Sequence, residues 1–340
     1  MKTLIIHLII IFLLMVTIPT GAVTKVGTTA AVFLNVDVGA RAVGMGGSYT
    51  TVVSDVSSMY WNPAGLTKIT NTEALFCHNR WIADINFNFA AFAVNLGEAG
   101  IIGVHTTFVN MDQMEVTTID YPDGTGEMFD AGSYAVGISY ARNLTDRFSI
   151  GASFKYINEY IHNCSAQGVA LDIGTLYDLP YKGLKIGMSI KNYGTKMQMD
   201  GRDLLVQTDI NPLVSGNNEN INSKLEADKF DLPLMFRVGI SADLLDGVAN
   251  SNLIISVDAL HPNDDVEYIN IGGEYLLDKK YAIRAGYKSL FASRSEEGLT
   301  LGAGISYPLI DDNYMLKIDY AYQDFGVFDN VQMFSIGLAF

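Results

Sequence analysis

GARAVGMGGSYTTVVSDVSSMYWNPAGL, residues 39–66, fits neither a packed helix nor a strand. Gly39, Gly44, Gly46, Gly47 and Gly65 interrupt any regular element, because glycine loses more backbone entropy than other residues when ordered and favours turns. Val43, Met45, Val52, Val53, Met59, Tyr60 and Trp61 between them still need burial. Such a segment has to be wrapped by other structure. The rest of the chain is a long series of short alternating strands, so the expected wrapper is a closed sheet and the expected place of the segment is inside it.

From Thr72 onward, about fourteen segments alternate with period two between turn residues. Phe148, Ile150, Phe154 and Tyr156 share one face, and Ser149, Gly151, Ser153 and Lys155 the other. Leu184, Ile186, Met188 and Ile190 oppose Lys185, Gly187, Ser189 and Lys191. Tyr314, Leu316, Ile318, Tyr320 and Tyr322 oppose Met315, Lys317, Asp319 and Ala321. One face suits lipid, and the small or charged face suits a lumen. Alternation alone also fits a β-sandwich. Tyrosines at strand ends (Tyr134, Tyr140, Tyr281, Tyr287, Tyr307, Tyr314, Tyr322) favour the barrel, where aromatic girdles mark the two interfaces.

Connection lengths are a second, independent signal. Compact links such as 96–100, 142–147 and 277–280 interleave with longer ones, including 111–130, 161–167, 193–231 and 290–298. Short turns on one side of a membrane and long loops on the other produce this rhythm. The predicted fold is all-β: a transmembrane outer-membrane antiparallel β-barrel of about fourteen strands, with an N-terminal hatch inside the lumen. The expected division is residues 1–22 signal peptide, 23–71 hatch and 72–340 barrel.

The run Gly39–Gly47 (GARAVGMGG) followed by Trp61–Gly65 (WNPAG) resembles the opening of the PorV/PorQ family, within the wider group of FadL-like outer-membrane barrels. Residues 122–131 (PDGTGEMFDA) and 192–204 (NYGTKMQMDGRDL) extend the likeness over most of residues 26–340. The resemblance implies hatch residues Arg41, Gly44, Gly46, Gly47, Asp55, Trp61, Asn62, Pro63 and Ala64. It also implies one of two functions. PorV proteins are outer-membrane components of type IX secretion that bind the C-terminal signal of secreted substrate proteins and pass them to the attachment machinery. FadL-like barrels take up fatty acids or other hydrophobic compounds. The terminal strand, with Phe334, Ile336, Leu338 and Phe340 on one face, is similar to the signal read by the outer-membrane barrel assembly machinery, which makes Phe340 its closing residue.

Composition sets the compartment. Lys2, the apolar run Leu4–Ile18 and the small residues Thr20-Gly21-Ala22 form a leader that is too short to span a membrane, with Pro19 and Gly21 ending it. The mature chain is expected near Val23, in the outer membrane of a diderm bacterium and in contact with its lipid. Losing Lys2 takes the formal charge from −15 to −16, which argues against nucleic acid as a partner. Hydrophobic residues make up 49% and charged ones 17%, too apolar for a secreted acidic protein, yet no apolar run is long. Cys77, expected in a strand, and Cys164, expected in a loop, allow at most one bridge, and unpaired thiols are the expectation.

Candidate chemistry is sparse. Gly44-Met45-Gly46-Gly47 lacks the Lys-Ser/Thr ending of a phosphate loop, and Tyr49 stands at the third-glycine position of the dinucleotide fingerprint. His78, His105, His162 and His261 have no motif neighbours, and the acidic residues of 120–130 depart from EF-hand spacing. No cofactor, metal or catalytic residue is therefore expected. Arg41 and Asp55, enclosed in a lumen, need partners, for which Asp172, Asp258 and Asp319, or Arg237, Arg284 and Lys317, are the candidates.

Overall fold

A computed structural model describes residues 26–82, 85–181, 183–211, 213, 220–292, 295–309 and 314–340. The expected signal peptide lies outside the described residues. Fourteen long strands succeed one another: β1 Thr72–Arg80, β2 Asn86–Asn95, β3 Ile101–Asn110, β4 Ala131–Thr145, β5 Phe148–Ile161, β6 Cys164–Asp178 and β7 Lys185–Gly194 come first. The remainder are β8 Met235–Asp243, β9 Ser251–Pro262, β10 Tyr268–Leu277, β11 Tyr281–Leu290, β12 Leu299–Pro308, β13 Met315–Asp324 and β14 Asn330–Ala339. Each pairs antiparallel with its sequence neighbours, and β14 pairs back onto β1 from Glu73↔Ala339 to Arg80↔Gln332. The sheet is closed.

Alternation assigns the faces as the sequence predicts. Ser149, Gly151, Ser153 and Lys155 of β5 are buried, whereas Ile150, Phe154 and Tyr156 are exposed. Around the outside, Phe76, Phe92, Ile138, Ile173, Ile283 and Ile336 are all exposed, Ile283 to 68%. An apolar belt of that extent is far larger than a soluble monomer leaves in water, and its natural solvent is lipid. Among the described residues, no helix is long and apolar enough to cross a membrane, so any crossing is made by strands.

The two chain ends of the wall meet at one rim: Thr72 and Phe340 exchange both backbone hydrogen bonds, at 2.9 and 2.8 Å. We call this the terminal rim. At the opposite, loop rim lie, among the described residues, 81–82, 85, 111–130, 195–211, 213, 220–234, 263–267, 291–292, 295–298 and 325–329. Two expectations are corrected here. The connection expected over 161–167 is only the turn 162–163, with His162 at φ 51° and Ile161 facing Cys164 in register. Cys164 therefore opens β6 and is buried rather than lying in a loop. The reason is that Cys164, Ala166 and Gly168 continue the inward set of β6, so the ladder gains by extending. This makes β4 to β6 the tall side of the wall, at 14 to 15 residues each. Cys77 sits in β1 as expected, and both thiols are free and buried.

A fourteen-stranded wall is too wide for its own side chains to fill, since about eight strands is the size at which they do. Residues 31–69 pack among the inward side chains of that wall. Their elements are short: a 3₁₀ turn Val32–Asn35, α1 Ala40–Gly44, α2 Ser58–Trp61 and a 3₁₀ helix Pro63–Lys68. Met45, Tyr49, Val53, Met59, Trp61 and Leu66 are fully enclosed and join wall residues such as Phe87 and Phe89 in one apolar cluster.

Candidate functional site

The contacts between the N-terminal segment and the wall form three layers. In the layer toward the terminal rim, the Arg41 guanidinium lies across the Glu274 carboxylate, Nη2 to Oε1 at 2.7 Å and Nε to Oε2 at 2.9 Å. Arg41 Nη1 donates to Ser54 Oγ at 2.7 Å and lies 3.6 Å from Asp55 Oδ2. On the wall, Arg284 Nε donates to Glu274 at 2.6 Å and Nη1 to Asp319 at 2.6 Å, and Lys317 pairs with Glu73 at 2.8 Å. Burial by itself works against the Asp55 carboxylate. Arg41, Lys317 and the hydrogen bonds from Ser57 and from the Tyr49 hydroxyl outweigh it and hold the carboxyl below its ordinary range. These groups border a cavity of about 220 Å³ open to the terminal rim, with cations and carboxylates in balance.

The partner of Arg41 is thus Glu274, a residue outside the expected set. Asp172 instead pairs with Lys155 at 2.8 Å, and Asp319 with Arg284. Glu274 was detectable in principle, as a lone acid at inward parity in the apolar strand YINIGGEYLL. Asp258 accepts backbone N–H bonds from Tyr49 and Thr50, both at 2.9 Å. Its contact is to the segment's backbone, which no charge-pairing argument finds.

In the middle layer, the glycines and the Trp-Asn-Pro-Ala run meet the wall. Gly46 has φ +66°, and a Cβ there would lie 2.8 Å from Ile271 O and from Tyr287 N, so strain and space both require glycine. A Cβ on Gly44 would lie 2.9 Å from Gly302 Cα, and Gly44 O accepts from Thr300 Oγ1. Gly47 lies against Asn270, Asp37 and Trp61. Asn62 Nδ2 donates to Thr50 O at 2.9 Å and to Thr175 O of β6 at 3.0 Å, while its Oδ1 caps Ala64 N–H. Pro63 begins the 3₁₀ helix, where its missing N–H costs nothing, and Ala64 is fully buried. Trp61 Nε1 donates to Val38 O at 2.8 Å, and its ring meets Tyr49 and Tyr60 edge-on. Two buried wall cations lie on aromatic rings of the segment, Arg237 over Trp61 and Lys191 over Tyr60.

The layer toward the loop rim is lighter. Val32, Phe33 and Val36 face Trp81, Phe87 and Val109 across an apolar cavity of about 310 Å³. Residues 229–234, the returning stem of the 195–234 loop, bend in to meet residues 29–34. Phe340 is far from all of this: it lies at the terminal rim, with its ring stacked on Tyr314.

A family description, "Type IX secretion system protein PorV", matches residues 20–210. The chain belongs to the PorV family. Family membership and the barrel fold together support placement in the outer membrane. Among solved structures, this PorV-family chain is similar to the CymD monoaromatic hydrocarbon channel, with 14% identity, a TM-score of 0.57 and coverage of 88% of this chain and 96% of that one. It is also similar to the Pseudomonas putida toluene transporter TodX, at 10% identity, TM-score 0.55, 88% and 96% coverage. A third likeness is to a Pseudomonas aeruginosa FadL homologue, at 13% identity, TM-score 0.53, 88% and 97% coverage. At these identities the likeness establishes the FadL-type barrel fold. No curated protein matches the chain.

Proposed function

We propose that this barrel serves type IX secretion by receiving secreted proteins at its loop rim, with residues 23–71 acting as a hatch that keeps the lumen closed meanwhile. The observation that carries the reading is family membership over residues 20–210. The geometry agrees with a protein ligand rather than a small one. The loop rim bears exposed apolar side chains at its tips, Ile119, Tyr121, Leu213, Phe291, Val327 and Phe328, which are of the kind that anchor protein contacts. The 195–234 loop also projects a two-stranded hairpin, Leu205–Thr208 with Ile221–Lys224, whose outer edges are unpaired among the described residues.

A second reading has one specific observation in its favour. The apolar cavity of about 310 Å³ between Phe33 and Phe87 falls at the lower end of the range for small-molecule sites, and the solved relatives include hydrocarbon channels. On that reading the chain passes a hydrophobic compound past the segment. Deleting the 205–224 hairpin separates the two. The secretion reading expects loss of co-purifying secreted proteins from an assembled barrel with unchanged entry of labelled hydrocarbon. Retained co-purification, with uptake lowered when the cavity is filled by Val109→Trp, would favour the channel.

A further inference from the structure

Two cations of the middle layer are not matched by an acid. Arg237 of β8 and Lys191 of β7 point inward and are only 3% and 2% exposed. The guanidinium carbon lies 4.6 Å from the centre of the Trp61 ring, and Lys191 Nζ lies 3.2 Å from that of Tyr60. Arg237 Nε and Nη1 are enclosed and bond to nothing among the described residues. The buried acids nearby are committed elsewhere: Asp172 to Lys155 and Asp37 to Lys288, both at 2.8 Å, and Asp258 Oδ2 to the Tyr49 and Thr50 N–H groups. An aromatic face offsets only part of what a guanidinium loses on leaving water, so Arg237 is short of a negative partner.

Arg237 lines a cavity of about 300 Å³ between the start of the N-terminal segment and the wall, on the loop-rim side. Its lining is graded in depth. Arg237, Asn270 and Lys288 are buried, whereas Asp264 is half-buried and Asp265 exposed. Lys288 is already shared by Asp37 and Glu297, at 2.8 and 2.5 Å. Asp264 Oδ2 accepts from Thr29 Oγ1 at 3.0 Å and from Asn35 Nδ2 at 3.3 Å, and its Oδ1 takes no bond among the described residues. An unspent guanidinium below and unspent carboxylate oxygens above suit a ligand that is negative at one end and positive at the other. A bare anion would have to pass the acids, and an acyl chain would lie among them. Leu260 stands opposite Arg237 in the register, and Asp264 follows four residues later, about 13 Å along an extended chain. The two side chains close part of that distance, and an extended peptide of two or three residues, at about 3.4 Å each, spans the rest.

We propose that this cavity binds a short peptide with both ends free, its C-terminal carboxylate on Arg237 and its ammonium group at Asp264. The site is independent of the docking reading above, which concerns whole proteins held at the loop tips.

Trp61, whose ring carries Arg237, reports occupancy, and Trp81→Phe makes it the only tryptophan of the chain. The purified full chain in detergent is titrated with triglycine. A saturable change in Trp61 emission is expected, with half-saturation at about 1 mM or below, together with a rise in the heat-modification midpoint. N-acetyl-triglycine, without the ammonium group, and triglycine amide, without the carboxylate, should each bind about tenfold more weakly or worse. Arg237→Gln should weaken triglycine about tenfold or more and leave the affinity of the amide where it was, and Asp264→Asn should do the same with the acetylated peptide as the indifferent ligand. If Arg237→Gln does not assemble, Arg237→Lys, which keeps the charge and loses the planar fork, carries the same expected direction. Neither emission nor midpoint responding to triglycine up to about 10 mM overturns the proposal. Acetate or decanoate binding as well as triglycine overturns it in favour of a simple anion or a lipid head group. Equal losses for triglycine and its amide on changing Arg237 would make that residue merely structural and overturn the assigned orientation.

Discussion

Glu274 is the residue on which the lower part of the N-terminal segment turns. It accepts from Arg41 of the segment and from Arg284 of the wall, and Arg284 continues to Asp319. Glu274→Gln removes the charge and leaves two enclosed guanidinium groups short of a counter-charge, at a cost of roughly 3–5 kcal/mol. The expected result is a clear fall in the temperature at which the barrel loses heat-modifiable mobility on gels. Substituting Lys224, whose pair with Asp200 lies in solvent, should leave that temperature unmoved. Asp55 adds a pH dependence. Its carboxyl is held below the ordinary value of about 3.8, so its contribution is fully present above that value and is lost as pH falls through the lower folded value. Acidification from pH 6 to pH 3 should lower the midpoint of the parent protein by more than that of Asp55→Asn.

The segment as an element is held by contact of backbone with backbone, which no side chain can replace. Gly46 combines a left-handed φ with backbone atoms at 2.8 Å from any added Cβ, and it abuts Gly286 of β11 on the wall, where a Cβ would lie 2.3 Å from Gly46 N. Gly46→Val should therefore disturb the segment more than the wall. The left-handed φ alone costs a non-glycine residue about 1–2 kcal/mol, before the clash. The expected outcome is proteolytic cleavage within 39–66 in vesicles whose barrel is still heat-modifiable. A parent-like digestion pattern would mean that the segment tolerates the displacement.

At the scale of the whole molecule, the β14–β1 closure runs from Arg80 opposite Gln332 to Glu73 opposite Ala339, and Phe340 adds to its end. Phe340 and Thr72 exchange two hydrogen bonds, and the Phe340 ring stacks on Tyr314. Removing Phe340 deletes the end of the β14–β1 ladder as well as the terminal aromatic residue. The expected result is less protein in the outer-membrane fraction and more in the soluble periplasm, and Phe340→Tyr, which keeps the backbone bonds and an aromatic ring, should restore most of it. Full assembly without Phe340 would count against a terminal signal.

Strand number, face assignment and closure were legible in the chain because alternation is a local property: which side of β5 carries Lys155 and which carries Phe154 is set by parity alone. The glycine run and the Trp-Asn-Pro-Ala turn were legible for a similar reason, since only a few backbone geometries need those residues in that order. Pairings across the lumen were not. Arg41 lies 233 positions from Glu274, and any of several inward acids satisfied the same parity, so the choice was made by barrel register and by the depth at which the segment sits. Cys164 is a milder case of the same kind: its neighbours look like turn residues in isolation, and only the continued ladder against Ile161 draws it into the wall. Local periodicity determined what each residue faces; the three-dimensional register, summed over fourteen strands and one threaded segment, decided what it meets.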